Sequence, residues 1–306
     1  MMITISNNAR RDSAMSLIEI NGLNKSYAEK RALFDVSFSV NSGEIVGLIG
    51  KNGAGKTTIL KSIANLIRYN SGKILYGGKD ISSNPSITRE FGILIECAFL
   101  DYVNAYDNLK ILGMAGGKLK PYALREMIDD ALKFVGLYEV RAKKTKTFSF
   151  GMKQRLGLAQ ALMNAEGFLM LDEPFIGLDP IGKEIAKSAI VSKAREGNLG
   201  VLFSSHDLPD VAEICDRIVM IKNGSCIFDG KVNKLTTYHI TLKTPMDDKQ
   251  VSEISKIKTV KASTNKISFE NGSINEVMRF IYSQTLLINQ MDSEKNTLIN
   301  MFTEEV

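Results

Sequence analysis

No stretch of the 306-residue sequence approaches the roughly 18 consecutive apolar residues that a bilayer-spanning helix requires. The greasiest segments, 91–100 and 168–171, are short or broken by glycine and acidic residues, so the chain is not expected to span a membrane itself. Cysteine is equally scarce. Cys97, Cys215 and Cys226 are an odd number without C-x-x-C spacing, which supports neither a disulfide framework nor a zinc site and fits a reducing cytoplasm. Residues 1–16 lack the apolar centre of a secretory signal, and Met15 precedes the first patterned segment. They read as a disordered leader or a cloning remnant. No block of one charge sign stands out either. The 39 Lys and Arg against 34 Asp and Glu give +5, spread along the chain, which falls short of the basic footprint of a dedicated nucleic-acid binder.

What is present is ordinary globular material, with 44% hydrophobic and 24% charged residues. At about 150 residues per domain the length allows one large unit and one smaller one. Residues 16–20 and 32–40 alternate as half-buried strands do, and the turn at Asn41 to Gly43 leads into a buried strand over 44–49. Ile59, Leu60, Ile63, Leu66 and Ile67 recur at helical spacing over 57–67, and 107–163 reads as mostly helical, with a stripe of Leu124, Met127, Ile128, Ala131, Leu132 and Val135. Segments 168–171 and 201–203 are continuous apolar runs, as in strands of a parallel sheet covered on both faces. The fold class is therefore α/β, with an antiparallel β subdomain and a helical subdomain. Beyond residue 230 the order β-α-β-β-α-β predicts a small C-terminal α+β module over 231–306, with Ser293 capping a last helix through Phe302.

Gly50-Lys51-Asn52-Gly53-Ala54-Gly55-Lys56-Thr57 fits G-x-x-x-x-G-K-[ST] between an expected strand and an expected helix, the context a phosphate loop needs. Small residues let successive amides turn onto phosphate oxygens, the helix start adds a positive dipole end, Lys56 offsets β/γ charge, and Thr57 offers a hydroxyl to Mg²⁺. Thr58 follows in the same turn. Asp172 and Glu173 end the apolar run 168–171, where parallel strands present ligands at their carboxyl ends. Asp172 is the candidate metal ligand, and Glu173 the candidate base for a water attacking the γ-phosphate.

At Phe148-Ser149-Phe150-Gly151-Met152-Lys153-Gln154-Arg155 the chain resembles the ATP-binding cassette (ABC) family, whose signature is usually L-S-G-G-Q. Ser149 and Gly151 agree, whereas Phe148, Phe150 and Met152 depart. The resemblance covers 17–230 and implies a P-loop NTPase core that binds and hydrolyses ATP with Mg²⁺. It also implies a head-to-tail homodimer or heterodimer in which Ser149 and Gly151 face ATP on the opposite subunit. By the same resemblance Tyr27 stacks on adenine, Asp179 in Gly177-Leu178-Asp179 crosses the dimer interface, and His206 in Ser204-Ser205-His206-Asp207 senses the γ-phosphate. Where most relatives have a Gln that touches Mg²⁺, this chain has Glu96, whose carboxylate can ligate a metal but adds negative charge. The phrases Leu94-Ile95-Glu96 and Tyr106-Asp107-Asn108-Leu109, with 148–158, resemble the branch that exports bacitracin-type and lantibiotic-type peptides.

The resemblance therefore implies a transport motor on the inner face of the cell membrane, held there by a separate integral membrane permease. A soluble ABC ATPase acting on ribosomes or DNA is the alternative; it predicts two cassettes or a long coiled-coil insertion, and neither is seen. A GTPase would show an N-K-x-D motif, which is not found. Cys97 reads as a small packed hydrophobe, and the basic run 141–146 as a solvated helix face.

Overall fold

The computed structural model describes residues 16–28, 30–96, 98–115, 121–232, 236–270 and 273–295, so Cys97 lies outside the described residues. The chain forms two compact units, Met1–Lys231 and Val232–Val306.

In the first unit, β1 (Ile18–Tyr27), β2 (Lys30–Val40), β4 (Ser71–Tyr76) and β5 (Lys79–Asp80) form an antiparallel sheet in the order β2-β1-β4-β5. Strand β1 runs further than the alternation at 16–20 predicts. It crosses Asn21-Gly22 by register shifts against β2 between Ile20 and Leu23, with Gly22 at φ +61°, and these irregularities hide its second half from a period-two reading.

A second sheet contains β3 (Ile45–Ile49), β6 (Phe91–Leu94), β7 (Phe168–Leu171), β8 (Gly200–Ser205), β9 (Arg217–Lys222) and β10 (Ser225–Lys231), ordered β10-β9-β3-β8-β7-β6. All neighbours are parallel except the β9–β10 hairpin. Every residue of β3, β7 and β8 is buried, which is why these strands read as unbroken apolar runs. The parallel order sets the carboxyl ends of β3, β8, β7 and β6 side by side along one sheet edge.

Helix α1 (Lys56–Ile63) follows β3 and buries Ile59, Leu60 and Ile63 in a core shared with both sheets. It stops a turn earlier than the sequence spacing predicts. Asn65 adopts φ +56°, the N–H groups of Leu66 and Ile67 both turn back to Lys61 O, and Leu66 is exposed. A left-handed residue closes the helix here, an ending that hydrophobic spacing does not encode.

Helices α2 (Ala105–Ala115), α3 (Pro121–Phe134) and α4 (Phe150–Asn164) fill the middle region, joined by short 3-10 turns at Tyr138–Val140 and Thr145–Thr147. Leu124, Ile128, Ala131, Leu132 and Val135 are buried as the stripe predicts, and Met127 is half-buried. Helices α5 (Pro180–Glu196) and α6 (Leu208–Ile214) follow β7 and β8.

The second unit comprises β11 (Thr236–Leu242), α7 (Asp248–Ile254), β12 (Lys261–Ala262), β13 (Lys266–Glu270), α8 (Ile274–Ser283) and β14 (Ile288–Lys295), in the β-α-β-β-α-β order. Its antiparallel sheet, β12-β13-β11-β14, packs Ile240, Leu242, Ile267 and Phe269 with Ile254, Val277 and Ile281 of the helices. Asp247 and Gln250 form a capping box at α7. Ser293 does not cap a helix: it lies in β14, opposite Tyr238 of β11. A ladder running from Ile288 to Lys295 outweighs the local cap-like pattern. The remainder of the expected helix lies outside the described residues.

Candidate functional site

The phosphate loop leaves β3 at Gly50 and enters α1 at Lys56. A side chain at Gly50 would place its Cβ 2.3 Å from Ile221 O, so the backbone there is too close to β9 for any other residue. Gly55 takes φ +112° immediately before the helix, a conformation that only glycine adopts without strain. Lys56 is buried, and its ammonium donates to Gly50 O at 2.6 Å.

Asp172 and Glu173 follow the last residue of β7. The Thr57 hydroxyl donates to Asp172 Oδ2 at 2.7 Å, and the Ser204 hydroxyl donates to Asp172 Oδ1 at 2.5 Å. The same Ser204 Oγ accepts the Glu173 N–H at 2.9 Å. Glu173 stands at φ +47°, a costly backbone conformation for a non-glycine residue, and Gln154 of α4 supports it by donating to its carbonyl at 3.1 Å. Its carboxylate lies between two cations or potential cations. Oε2 is 2.9 Å from His206 Nδ1, while Oε1 is buried, 3.5 Å from Lys56 Nζ, and accepts no hydrogen bond. Against an ionised carboxylate His206 Nδ1 carries the hydrogen.

Of these groups Lys56, Thr57 and Glu173 border an open cavity of about 620 Å³, whose lining also includes Tyr27, Arg31, Phe34, Asn52 and Thr58, while Asp172 and His206 are not among its lining residues. That volume is within the range of cavities that take a molecule of nucleotide size. Tyr27 is half-exposed with the Lys25 ammonium 4.6 Å above its ring, and the Arg31 guanidinium lies 4.4 Å above the Phe34 ring. Gly53 and Gly55 also reach this cavity, whereas Gly50 and Ala54 of the same loop are not among its lining residues.

Ser149, Gly151 and Asp179, expected nucleotide contacts outside the phosphate loop, do not line the cavity. Ser149 caps α4, with its hydroxyl accepting the Met152 N–H at 3.2 Å, and Asp179 caps α5 by accepting the Gly182 N–H at 2.8 Å. Gly151 presses against the loop before α5, where an added Cβ would sit 2.8 Å from Gly177 O. Nor is Glu96 drawn onto the Thr57–Asp172 pair. It is exposed, and its carboxylate accepts a 2.7 Å bond from Lys61, one turn beyond Thr57 on α1. That bond raises the Lys61 ammonium and lowers the Glu96 carboxyl from their ordinary values.

Sequence reading missed Ser204, Gln154, Arg31 and Phe34. The first two stand inside quoted motifs, and only the pairing of β7 with β8 and the position of α4 reveal whom they touch. Nothing local marks Arg31 and Phe34. Among the described residues no group of three or more His, Cys, Asp or Glu converges as a metal cage. The hydroxyl and carboxylate oxygens of Thr57 and Asp172 nevertheless suit Mg²⁺, which binds through one or two carboxylates with phosphate and water completing its shell. No helix among the described residues is long and apolar enough to cross a membrane.

Residues 33–176 match the family described as ABC transporter. The chain is 40% identical over 223 residues to the uncharacterized ABC transporter ATP-binding protein YxlF of Bacillus subtilis, covering 72% of each chain. It is 35% identical over 214 residues to the bacitracin transport ATP-binding protein BcrA of Bacillus licheniformis, covering 69% of each. Identity to the lantibiotic transport ATP-binding protein SrtF of Streptococcus pyogenes is 37% over 226 residues, 71% of this chain and 93% of that one. Among solved structures, an ATP binding subunit of an ABC transporter superposes with a TM-score of 0.65 at 30% identity, covering 71% of this chain and 90% of that one. The dimeric cassette MJ0796 bound to ADP and Pi gives 0.65 at 22% identity over 71% and 99%, a likeness of fold.

Proposed function

The chain belongs to the ABC transporter family as an ATP-binding cassette that hydrolyses ATP, and from that premise we propose that it drives a separate integral membrane permease exporting a peptide antibiotic or another hydrophobic compound. The observation that carries the catalytic part is the placement of Glu173, braced by Ser204 and Gln154, touched by His206, and left with one buried oxygen that accepts no hydrogen bond. An oxygen so held is ready to take a proton from a water set against the γ-phosphate.

In this reading Tyr27 stacks on the adenine, and amides over 50–58 receive the phosphates. Lys56 exchanges Gly50 O for phosphate oxygens, a short movement because its ammonium already lies under the loop. Thr57 and Asp172 would hold Mg²⁺, which supplies positive charge against the β/γ oxygens. Glu96 can join them only by leaving Lys61. His206 keeps Glu173 oriented. Ser149, Gly151 and Asp179 stand apart from this chain's own cavity, which supports a head-to-tail pair, homomeric or heteromeric, in which they meet the ATP of the other subunit. The names of BcrA and SrtF support the export of peptide antibiotics, and the permease would keep the protein peripheral on the inner membrane face.

Glu173→Gln tests the centre of this reading. The variant is expected to bind ATP, to accumulate as an ATP-trapped dimer, and to lose about 10²-fold or more in turnover. Near-normal turnover would overturn the assignment of Glu173 as base.

A further inference from the structure

Helices α5 and α6 face one another through charges. Lys183 and Lys187 are one turn apart on α5, and Asp207, Asp210 and Glu213 follow at three-residue intervals from the start of α6. Asp210, only 5% exposed, gives one oxygen to each lysine: Oδ2 lies 2.6 Å from Lys183 Nζ and Oδ1 lies 3.1 Å from Lys187 Nζ. Lys187 also reaches Glu213 Oε2 at 2.5 Å. Burial pushes the Asp210 carboxyl up, but the two lysine hydrogen bonds outweigh it and leave the group below its ordinary value.

The upper end of this ladder is unlike the rest. Asp207 occupies the N-cap position of α6, where an aspartate normally accepts an N–H of the first turn, yet its side chain makes no cap hydrogen bond. Its Oδ2 instead lies 3.3 Å from Lys183 Nζ. Asp207 follows His206 directly, and His206 holds Glu173 Oε2. On the other helix the Lys183 N–H bonds Asp179 O at 2.9 Å, so Lys183 stands one turn inside the segment that begins with the loop against Gly151.

We propose that Lys183 is a positioning residue for ATP hydrolysis: by drawing Asp207 away from its own helix it fixes the backbone on which His206 stands, and so ties the Gly177–Asp179 loop to the His206–Glu173 pair. The inference rests on the reading of Glu173 and His206 given above. Lys183 touches neither of them. It acts through Asp207, and a change at the loop before α5 reaches the catalytic pair along this ionic connection. The residues below it, Lys187 and Glu213, hold the helices together but have no link to His206 of this kind.

The test is steady-state ATP hydrolysis by the full chain carrying Lys183→Met, which keeps most of the stem and removes the charge. A kcat about tenfold lower with the KM for ATP held within about twofold is expected, and Lys183→Arg should restore most of the rate. Asp207→Asn, at a half-exposed position, should reproduce the loss and serves in place of Lys183→Met if that variant does not fold. On a His206→Ala background Lys183→Met should add less than about twofold, since its effect passes through that histidine. A lower melting temperature with unchanged kcat, or an undiminished Lys183→Met effect without His206, overturns the proposal. Glu173→Gln and His206→Ala measured alongside separate the two levels. If both turn over normally, the reading of the site fails and this inference with it; if both are slow while Lys183→Met is normal, only the role of Lys183 falls.

Discussion

His206 Nδ1 lies 2.9 Å from Glu173 Oε2 at the end of neighbouring parallel strands, β8 and β7. Each side chain comes from the first or second residue beyond its strand, so the sheet itself sets their separation. His206 is half-exposed and contributes little to the core, which allows it to be removed without disturbing the fold. Without it the Glu173 carboxylate keeps the longer contact to Lys56. His206→Ala should therefore retain nucleotide affinity, read with a fluorescent ATP analogue, while kcat falls about 10- to 100-fold. Weakened binding with unchanged kcat would place His206 in ground-state binding instead.

Ser204 is fully buried and links Asp172 Oδ1 to the Glu173 N–H. Its hydroxyl holds the left-handed Glu173 backbone at the N–H, as Gln154 does at the carbonyl. Ser204→Ala strands that N–H and removes one bond from Asp172, at a cost of about 1–3 kcal/mol. Urea unfolding should show this loss, and turnover should fall beyond what the folded fraction explains. An alanine variant as stable and as active as the parent would mean that the contact has no role.

Exposed Glu96 pairs with half-buried Lys61, one turn along α1 from Thr57. Glu96 can ligate Mg²⁺ only if it leaves Lys61. Glu96→Gln should leave the melting temperature unchanged, because an exposed ion pair adds little to stability. The Mg²⁺ concentration giving half-maximal hydrolysis should shift. An unchanged titration would show that the carboxylate stays on Lys61 throughout turnover.

The features legible in the sequence are those whose cause is local. The phosphate loop announces itself through glycine spacing, β7 and β8 through unbroken apolar runs, and the α4 start through Ser149. Ser204 was invisible as a partner of Asp172 because residues 32 apart meet only when β7 pairs with β8. Lys183 and Asp207 are hidden for the same reason, since their contact depends on two helices that follow separate strands. Leu66 and Ser293 misled in opposite ways. A left-handed Asn65 cut short a sound helical period, and strand pairing claimed a serine that locally suited a helix cap.

Asp210 offers a prediction whose sign depends on pH. Its carboxyl is lower in the folded chain than in the unfolded one, where it titrates near about 3.9. The stabilisation it provides is thus fully present above that value and is lost as pH falls through the folded value. Lys187 is shifted upward: burial acts to lower it, and the bonds to Glu213 and Asp210 outweigh that effect, so the lysine stays charged throughout the neutral range. Asp210→Asn should therefore cost about 1–3 kcal/mol at pH 7, where it leaves buried Lys187 short of an anion. The difference from the parent should begin to narrow once the pH drops below about 4, where the unfolded chain's carboxyl takes up a proton. It should close only as the pH falls through the lower folded value, where the parent's own carboxyl becomes neutral. Urea unfolding of both chains at pH 7, 5, about 3.5 and about 2.5 makes the comparison. A gap that stays constant across that range would show that shape and hydrogen bonding at Asp210, rather than its charge between two lysines, hold α5 and α6 together.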